Sequence, residues 1–552
     1  MPLETPRRIV GELASRGYNA EREAVTLLSR ASDPAAALER ALEAVPEDAL
    51  KLSADHVRTA LDSREPASDP SPPSRSAPSR SAPSPSDSTV SSDSTVPSDP
   101  SPPSDSSGPS SPSDSVAPAT PSVSGGESPL DSDGVDVSPV ETRGSARRPR
   151  TPQSAVIAGD VTGRSTGTGE YGDFVKVFRD RYERLSRKLT GRVNHRPTTA
   201  VSNMPGGEET ALIGMINDVR STASGHWLVE LEDTNGVFPC LVLKDKPIAD
   251  LVEELLLDEV IAVEGTLSGD GGVLFVDSLH FPDVPRTHRP NTADRHVQAA
   301  LVSDVHVGSQ EFLAEEWSRF AAWLHTEEAE AVEYLLLAGD MVEGVGVYPN
   351  QDEELSIVDI YEQYEAFSEY LKEVPGDVEI VMIPGNHDAV RLAEPQPAFD
   401  EELREIMSAH DARITGNPST VTVEGVNVLM YHGVSLDEVI AELPEHKASY
   451  DEPHLAMYQL LKKRHVAPQY GGHTRLAPEE RDYLVVDDVP DIFHTGHVHK
   501  LGYGKYHNVL AINSGCWQAQ TDFQRSVNID PDHAYAPIVD LDTLKLTIRD
   551  FN

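Results

Sequence analysis

Cysteine is nearly missing: the 552 residues hold two, Cys240 and Cys516, far apart in the chain. They cannot form a disulfide framework, and no CxxC pair is present to suggest a structural zinc. Lysine is scarce as well. The 12 lysines and 34 arginines face 91 aspartates and glutamates, for a net charge of −45. That balance excludes a generally basic nucleic-acid coat. It suits a protein kept soluble in concentrated salt, where charges are screened within a few Å. Apolar runs are short, residues 334–338 for example, and none approaches the ~20 residues of a membrane span. Arg7-Arg8 is followed by no apolar stretch, which argues against a twin-arginine export signal. Neither a GxxxxGKS/T phosphate loop nor an HExxH helix occurs. A cytoplasmic protein without membrane contact is expected.

What remains separates into segments, and at ~100–200 residues per domain the length implies three or four units. Residues 1–65 are rich in Ala, Leu, Glu and Arg. The pairs Ile9 and Leu13, Val25 and Leu28, and Leu38 and Leu42 keep helical spacing, and Thr5-Pro6 and Asp33-Pro34 read as helix starts. A helical docking domain of three or four helices is predicted. Residues 66–168 collapse into Ser, Pro, Asp, Thr and Gly. Too few apolar side chains remain to offset the entropy of ordering, so a disordered linker is expected.

Residues 169–200 hold a connecting helix, DFVKVFRDRYERLSRKLTGR, with Phe174, Val177, Phe178, Tyr182, Leu185 and Leu189 on one stripe. Its arginines and lysines read as a face packed on a neighbour in preference to a nucleic-acid contact. Residues 201–288 switch to period two. Five short runs, turns at Asn235-Gly236 and 269–272, and a helix over 247–256 match the order of an OB-type β-barrel. Its stacking aromatics are only Trp227, Phe238 and Phe275, so the barrel reads as mainly structural.

Residues 289–552 alternate apolar runs with amphipathic helices: VQAALVSD, YLLLAGD, VEIVMIPG, VNVLMYHG, DIFHTGH and VLAINSG. Each run ends in Gly, Asp or His, which places polar side chains beyond strand ends, where layered α/β folds collect their chemistry. Five of the six deliver one set in order: Asp304 and His306, Asp340 with Glu343 three residues on, Asn386 and His387, His432, then His497 and His499. Any one of the 20 histidines is by default a core or surface residue. Five His, two Asp and one Asn, each at the end of an apolar run, are not explained that way. These ligand types suit borderline divalent ions such as Mn, Fe or Zn. Two such ions ~3.5–4 Å apart would clamp a phosphodiester and activate a water for in-line attack.

DVHVGS, GDMVEG, GNHD, YHG and GHVH resemble the five motifs of the calcineurin-like metallophosphoesterases, across about 200 residues from Asp304 to His499. The resemblance implies one metal held by Asp304, His306 and His499, a second by Asn386, His432 and His497, and Asp340 bridging both. It implies that His387 contacts the scissile phosphate and protonates the leaving oxygen, with Glu343 orienting that histidine. A narrower likeness follows from MYQLLKKRHVAPQYGGHTRLAPEERDYLVVDDVPDIFHTGHVH and INSGCWQAQTDFQRSVNIDP, which are similar to the small subunits of archaeal family-D DNA polymerases.

That family implies an α/β multidomain chain: helical module, linker, OB-type barrel and a layered β-sandwich phosphoesterase over 289–552. It implies a 3′→5′ exonuclease using two divalent ions, Mn first, with Mg, Fe or Zn as alternatives. The implied partners are a large polymerising subunit and single-stranded or mismatched DNA 3′ ends, with a sliding clamp as a further candidate. No polymerase carboxylate motif is present in this chain. His473 and Arg475 are candidates for the DNA path. His410, His454, His465 and His494 read as structural, and Cys516-Trp517 as packing beside the site. Alternatives are a stand-alone double-strand-break-repair nuclease, a non-catalytic assembly subunit and a phosphoprotein phosphatase.

Overall fold

The computed structural model describes residues 154–552, apart from 349–350, 409–410, 473 and 527–528, together with short stretches of the first 58 residues. Two units separate, residues 1–121 and 122–552. In the first, helices Arg22–Ser29 and Pro34–Glu43 are described. Pro34 takes the first helical position, where its missing N–H costs nothing. Val25, Leu28 and Leu38 join Ile9, Ala24, Ala37, Ala41 and Val57 in one buried cluster. Asn19–Ala20 pairs in parallel with Lys51–Leu52, a strand contact that helical spacing did not anticipate. Thr5-Pro6, Leu13 and residues 66–153 lie outside the described residues.

The second unit opens with a difference from expectation. Residues 154–168, placed in the linker by composition, carry a strand, β1 (Val156–Ala158), with Ala155 and Val161 buried. The average composition of the longer segment hides a short apolar run, Ala155-Val156-Ile157-Ala158, with two β-branched residues, and the edge strand Ser419–Val423 of a sheet supplies its hydrogen-bond partners. Asp160 then accepts from the Gly416 N–H (3.1 Å), and the Arg391 guanidinium donates to Ser165 Oγ. The expected helix follows as α1 (Tyr171–Thr190), burying Val177, Arg181, Leu185 and Leu189.

Five strands then close into a barrel: β2 (Glu209–Ser221), β3 (Trp227–Asp233), β4 (Gly236–Val242), β5 (Val260–Leu267) and β6 (Leu274–His280). All neighbours are antiparallel except β4 with β6, the parallel pair that completes closure. The helix expected over 247–256 shortens to one turn, Ala249–Val252. The Leu256 N–H is taken by the Glu259 carboxylate (2.8 Å), which ends helical bonding there.

Beyond the barrel come β7 (Gln298–Val302), α2 (Ala314–Leu324), β8 (Val332–Ala338), α3 (Ile360–Leu371), β9 (Glu379–Ile383) and β10 (Arg413–Ile414). Then follow β11 (Ser419–Val423), β12 (Val426–Met430), α4 (Ser435–Glu442), α5 (Pro453–Lys463) and β13 (Ile492–Thr495). The last strands are β14 (Leu501–Tyr506), β15 (Val509–Ser514), β16 (Tyr535–Asp540) and β17 (Lys545–Asp550). One six-stranded sheet has the order β10-β9-β8-β7-β16-β17, and the other β14-β15-β13-β12-β11-β1. All six apolar runs singled out in the sequence are strands.

Period-two alternation explains the layering. Along β8, Leu335 and Leu337 meet Trp317, Phe320 and Phe367 of α2 and α3, while Leu336 and Ala338 face Val428, Met430 and Ile512 of the other sheet. That second sheet turns Leu429, Phe493 and Ala511 toward Leu436, Met457 and Leu461 of α4 and α5. The body is thus helix, sheet, sheet, helix, with both faces of each sheet covered, which is why the strands read as continuous apolar runs. Among the described residues, no helix is long and apolar enough to cross a membrane.

Helix α1 fastens the barrel to this body. Leu185 and Leu189 pack on Ala211, Ile213, Val260 and Ala262 of the barrel. On the other side Arg181, fully buried, pairs with Asp482 (2.6 Å) and donates to the Pro468 carbonyl. Arg184 reaches Asp180 and Asp487, and Arg192 donates to the carbonyls of Phe281 and Pro282. The basic face is largely spent on neighbours within the chain, as its sequence reading favoured.

Two outcomes follow for this joint. Arg181→Met strands the buried Asp482 carboxylate and should lower unfolding free energy by about 3–5 kcal/mol in denaturant titration at molar KCl. Burial and the nearby Arg181 hold His465 down at about 4, despite its contact with Asp482 at 2.9 Å. A folded value below the unfolded ~6.5 means the unfolded chain takes the proton first. Stability from this group is therefore present above pH ~6.5 and is lost as pH falls toward 4; His465→Gln should flatten that slope relative to wild type.

Candidate metal centre

Every residue of the set predicted from the strand ends lies at the C-terminal end of a parallel strand: Asp304 and His306 after β7, Asp340 and Glu343 after β8, Asn386 and His387 after β9, His432 after β12, His497 and His499 after β13. Because β7–β9 belong to one sheet and β12–β13 to the other, the set gathers where the two facing sheets end together. Five of these residues turn their backbone into the left-handed region: Asp304 (φ 53°), His306 (57°), Asp340 (51°), His497 (73°) and His499 (54°). Such non-glycine conformations cost about 1–3 kcal/mol each and persist only where the surroundings enforce them.

Among the described residues three groups could hold a metal ion: one joins His306, Glu343 and His387, and the other two correspond to the expected sets. Asp304, His306 and His499 form one, with His306 Nε2 and His499 Nε2 only 3.0 Å apart and Asp304 Oδ1 at 3.9 and 3.5 Å from them. Asp340, His432 and His497 form the other, with His432 Nε2 at 3.1 Å from Asp340 Oδ2 and 3.0 Å from Asn386 Oδ1. Asp340 Oδ2 is also 3.9 Å from His306 Nε2, so this carboxylate stands between the clusters. Two ring nitrogens aimed at each other beside a buried carboxylate oxygen are the donor arrangement a divalent cation takes, and both clusters fit one by chemistry.

Outer contacts fix the rings. His432 Nδ1 donates to the Ala338 carbonyl (2.8 Å), turning Nε2 toward Asp340. His497 Nε2 meets Asp437 Oδ2 at 3.0 Å, which leaves Nδ1 for the cluster. His499 Nδ1 lies 2.9 Å from the Gln524 amide. Glu343 touches two of the histidines. Its carboxylate sits 2.9 Å from Nδ1 of His306, and it is the Glu343 main-chain carbonyl that takes the His387 Nδ1 proton (2.8 Å); its Oε1 is 3.8 Å from that ring. Gln518 in turn donates to Glu343 Oε2 (2.7 Å).

The glycines do more local work than letting backbone approach a metal or phosphate. A Cβ on Gly496 would overlap Asp304 Oδ2, and one on Gly385 would overlap Asp340 Oδ1. The carboxylates themselves need that space. Backbone amides then hold them: His497 N–H donates to Asp304 (2.9 Å) and His387 N–H to Asp340 (2.8 Å).

Electrostatically, three buried carboxylates sit among five imidazoles. Burial opposes ionisation, yet the facing histidines hold Asp304 and Asp340 well below the usual carboxylate range and Glu343 at about 2. Burial likewise opposes charging of His432, but the Asp340 carboxylate beside it holds that ring up at about 10. The ionised carboxylates of Asp340 and Asp304 thus favour positive charge at His432 beside them, whereas burial pushes His499 down.

A cavity of about 160 Å³ opens onto these groups. His306, Asp340, Glu343, His387, His497 and His499 line it, with Tyr348, Tyr450 and Phe523 as additional aromatic walls. Asp437, Gln518, Gln524 and these aromatics were missed by sequence reading; each lies outside the five motifs, and no local spacing marks it. Arg475 is exposed and does not line the cavity, and His473 and His410 lie outside the described residues. His465 and His494 are buried on Asp482 and Ser514, in structural roles. Burial pushes the Cys516 thiol up, which removes it as a nucleophile. Trp517 packs beside the site and donates its backbone N–H to the Asp304 carbonyl (2.8 Å).

Crowding Asp304 tests the arrangement. If the clusters hold a divalent cation, Gly496→Ala should lower its affinity by about 10–100-fold in isothermal titration, the range for disturbing the supports of a metal site.

A family profile for the B subunits of DNA polymerases alpha and epsilon matches residues 299–501. A protein of Halobacterium salinarum named DNA polymerase II small subunit is 61% identical over 552 residues, all of both chains. Its namesake in Archaeoglobus fulgidus is 44% identical over 380 residues, 67% of this chain and 76% of the other. That of Methanocaldococcus jannaschii is 40% identical over 393 residues, 69% and 66% of the two chains. Similar from end to end to one such protein, and matched by the profile across the strands that carry the site, the chain belongs to the archaeal family-D DNA polymerase small subunits.

Proposed function

We propose that the chain carries a 3′→5′ exonuclease that removes terminal nucleotides from DNA while a separate large subunit polymerises. In this reading the helix–sheet–sheet–helix body is a calcineurin-like metallophosphoesterase and the barrel an OB-type fold, with the boundaries expected above apart from the ordered segment 154–168. The observation that supports it is the position of Asp340 between two ligand clusters, with His387 beside them in one open cavity. Two divalent ions, manganese first, are the cofactors this donor set suits, with Asp304, His306 and His499 at one position, Asn386, His432 and His497 at the other, and Asp340 shared. Bound there, such ions supply a water of lowered pKa and neutralise phosphodiester charge.

The chain's own groups do the rest. His387 donates Nδ1–H to the Glu343 carbonyl, which leaves Nε2 facing the cavity, placed to deliver a proton to the leaving oxygen. Glu343 and Asp437 keep His306 and His497 turned toward the clusters. A chain of charge −45 must still meet a polyanion, so the large subunit is assigned most of the grip on DNA.

The reading is tested on a 5′-labelled single strand in molar KCl. A manganese-dependent ladder from the 3′ end, absent with chelator and with Asp340→Ala, is expected. No shortening by the folded chain, alone or with the large subunit, would move the protein to a non-catalytic assembly role. His387→Ala should bind manganese normally and cleave about 10²–10⁴-fold more slowly; loss of metal in that variant would remove the acid role given to it.

A further inference from the structure

The cavity carries one feature that metal binding leaves unexplained. Phe523 lies on the short helix Asp522–Ser526 and is 50% exposed, an unusual setting for a phenyl ring at a polar site. It stacks on Tyr348, with ring centroids 5.4 Å apart and planes 27° from parallel. The Tyr348 ring in turn meets His387 edge-on at 6.3 Å. Tyr348 is anchored: its hydroxyl lies within hydrogen-bond reach of the carboxylates of Glu343 (3.3 Å) and Glu354 (3.2 Å) and donates to one of them at a time. Phe523, a phenyl ring, has no such polar anchor, and half of its surface is exposed. Val345 and Val347, in the loop that carries Tyr348, are exposed beside it in sequence.

We propose that Tyr348 and Phe523 form a stacking platform for the base of the nucleotide being removed, so that the site takes an unpaired 3′ end irrespective of its base. The inference rests on the exonuclease reading and names how that site holds its substrate. Every base presents a π-face, so a stacked aromatic pair binds single strands with little sequence preference. The platform starts one ring's width from the group placed to protonate the leaving oxygen, which suits a base attached to the reacting phosphate. A base still paired in a duplex keeps its own stacking partners and has less to gain there. It also answers an electrostatic difficulty: the cavity walls include Asp437 and Glu343, and stacking attracts a nucleotide without calling on positive charge.

The test uses the full chain in molar KCl with manganese and a single strand bearing 2-aminopurine at its 3′ end behind a phosphorothioate linkage. Binding should quench the fluorophore, and Phe523→Ala should abolish the quench and weaken binding about tenfold or more. Phe523→Tyr should restore both, and an abasic 3′ end should bind wild type and Phe523→Ala alike. On cleavable DNA, Phe523→Ala should raise KM much more than it lowers kcat. Equal quenching by wild type and Phe523→Ala, with wild-type shortening of DNA intact, overturns the platform alone. Unchanged quenching with weaker capture of the large subunit would assign the pair to a protein interface instead. If wild type neither binds nor shortens DNA, the exonuclease reading falls and the platform with it.

Discussion

Two carboxylates buried at the ends of adjacent parallel strands, Asp304 after β7 and Asp340 after β8, set the terms for everything around them. A buried charge is tolerated only when paired and hydrogen-bonded. Each therefore takes a backbone N–H from a neighbouring loop, His497 for Asp304 and His387 for Asp340, and each faces imidazoles from both sheets. The loops can close this tightly because glycine stands where a Cβ would strike a carboxylate oxygen. The left-handed turns at five of the site residues follow from the same demand, since ordinary strand continuation would carry those side chains away from the shared space.

A second economy governs how the parts are joined. Lysine is rare in this chain, yet three of its 12 lysines meet two glutamates at the joint between barrel and body. Lys447 and Lys462 pair with Glu254, and Lys463 is buried against Glu259 (3.2 Å) while donating to the Glu254 carbonyl (2.7 Å). Together with Arg181 and Asp482 they fix the barrel and α1 to the body through buried polar contacts. Interfaces of this kind specify one geometry, because a shifted register strands a charge. Surface acid, screened in concentrated salt, takes no part in that specification.

The aromatic walls of the cavity belong to neither scheme. Tyr348, Tyr450 and Phe523 come from three separate segments and line a space otherwise made of carboxylates and imidazoles. Their hydroxyls and rings tie the loops to the metal-ligand supports: Tyr348 to Glu343, and Tyr450 to Asp437 (3.0 Å). The cavity walls and the contacts that orient its carboxylates thus share residues, so the shape of the mouth and the setting of Glu343 and Asp437 are fixed together.

The sequence by itself determined what is local and periodic. Six apolar runs had to be strands, and in five of them polar residues at or just beyond the run's end had to project past the sheet; the candidate set was legible for that reason. Tertiary structure alone decided where those side chains turn. The Glu343 carboxylate lies nearer His306 (2.9 Å) than His387 (3.8 Å), an arrangement that no spacing reveals. Asp437 enters the site from α4, one turn beyond His432, and Phe523 from a short helix some way past His499, through packing that only the closed fold creates. Residues 154–168 look like linker by composition and become strand because a sheet edge elsewhere offers them partners. Composition measures what a segment can bury by itself, and these contacts are supplied by the rest of the chain.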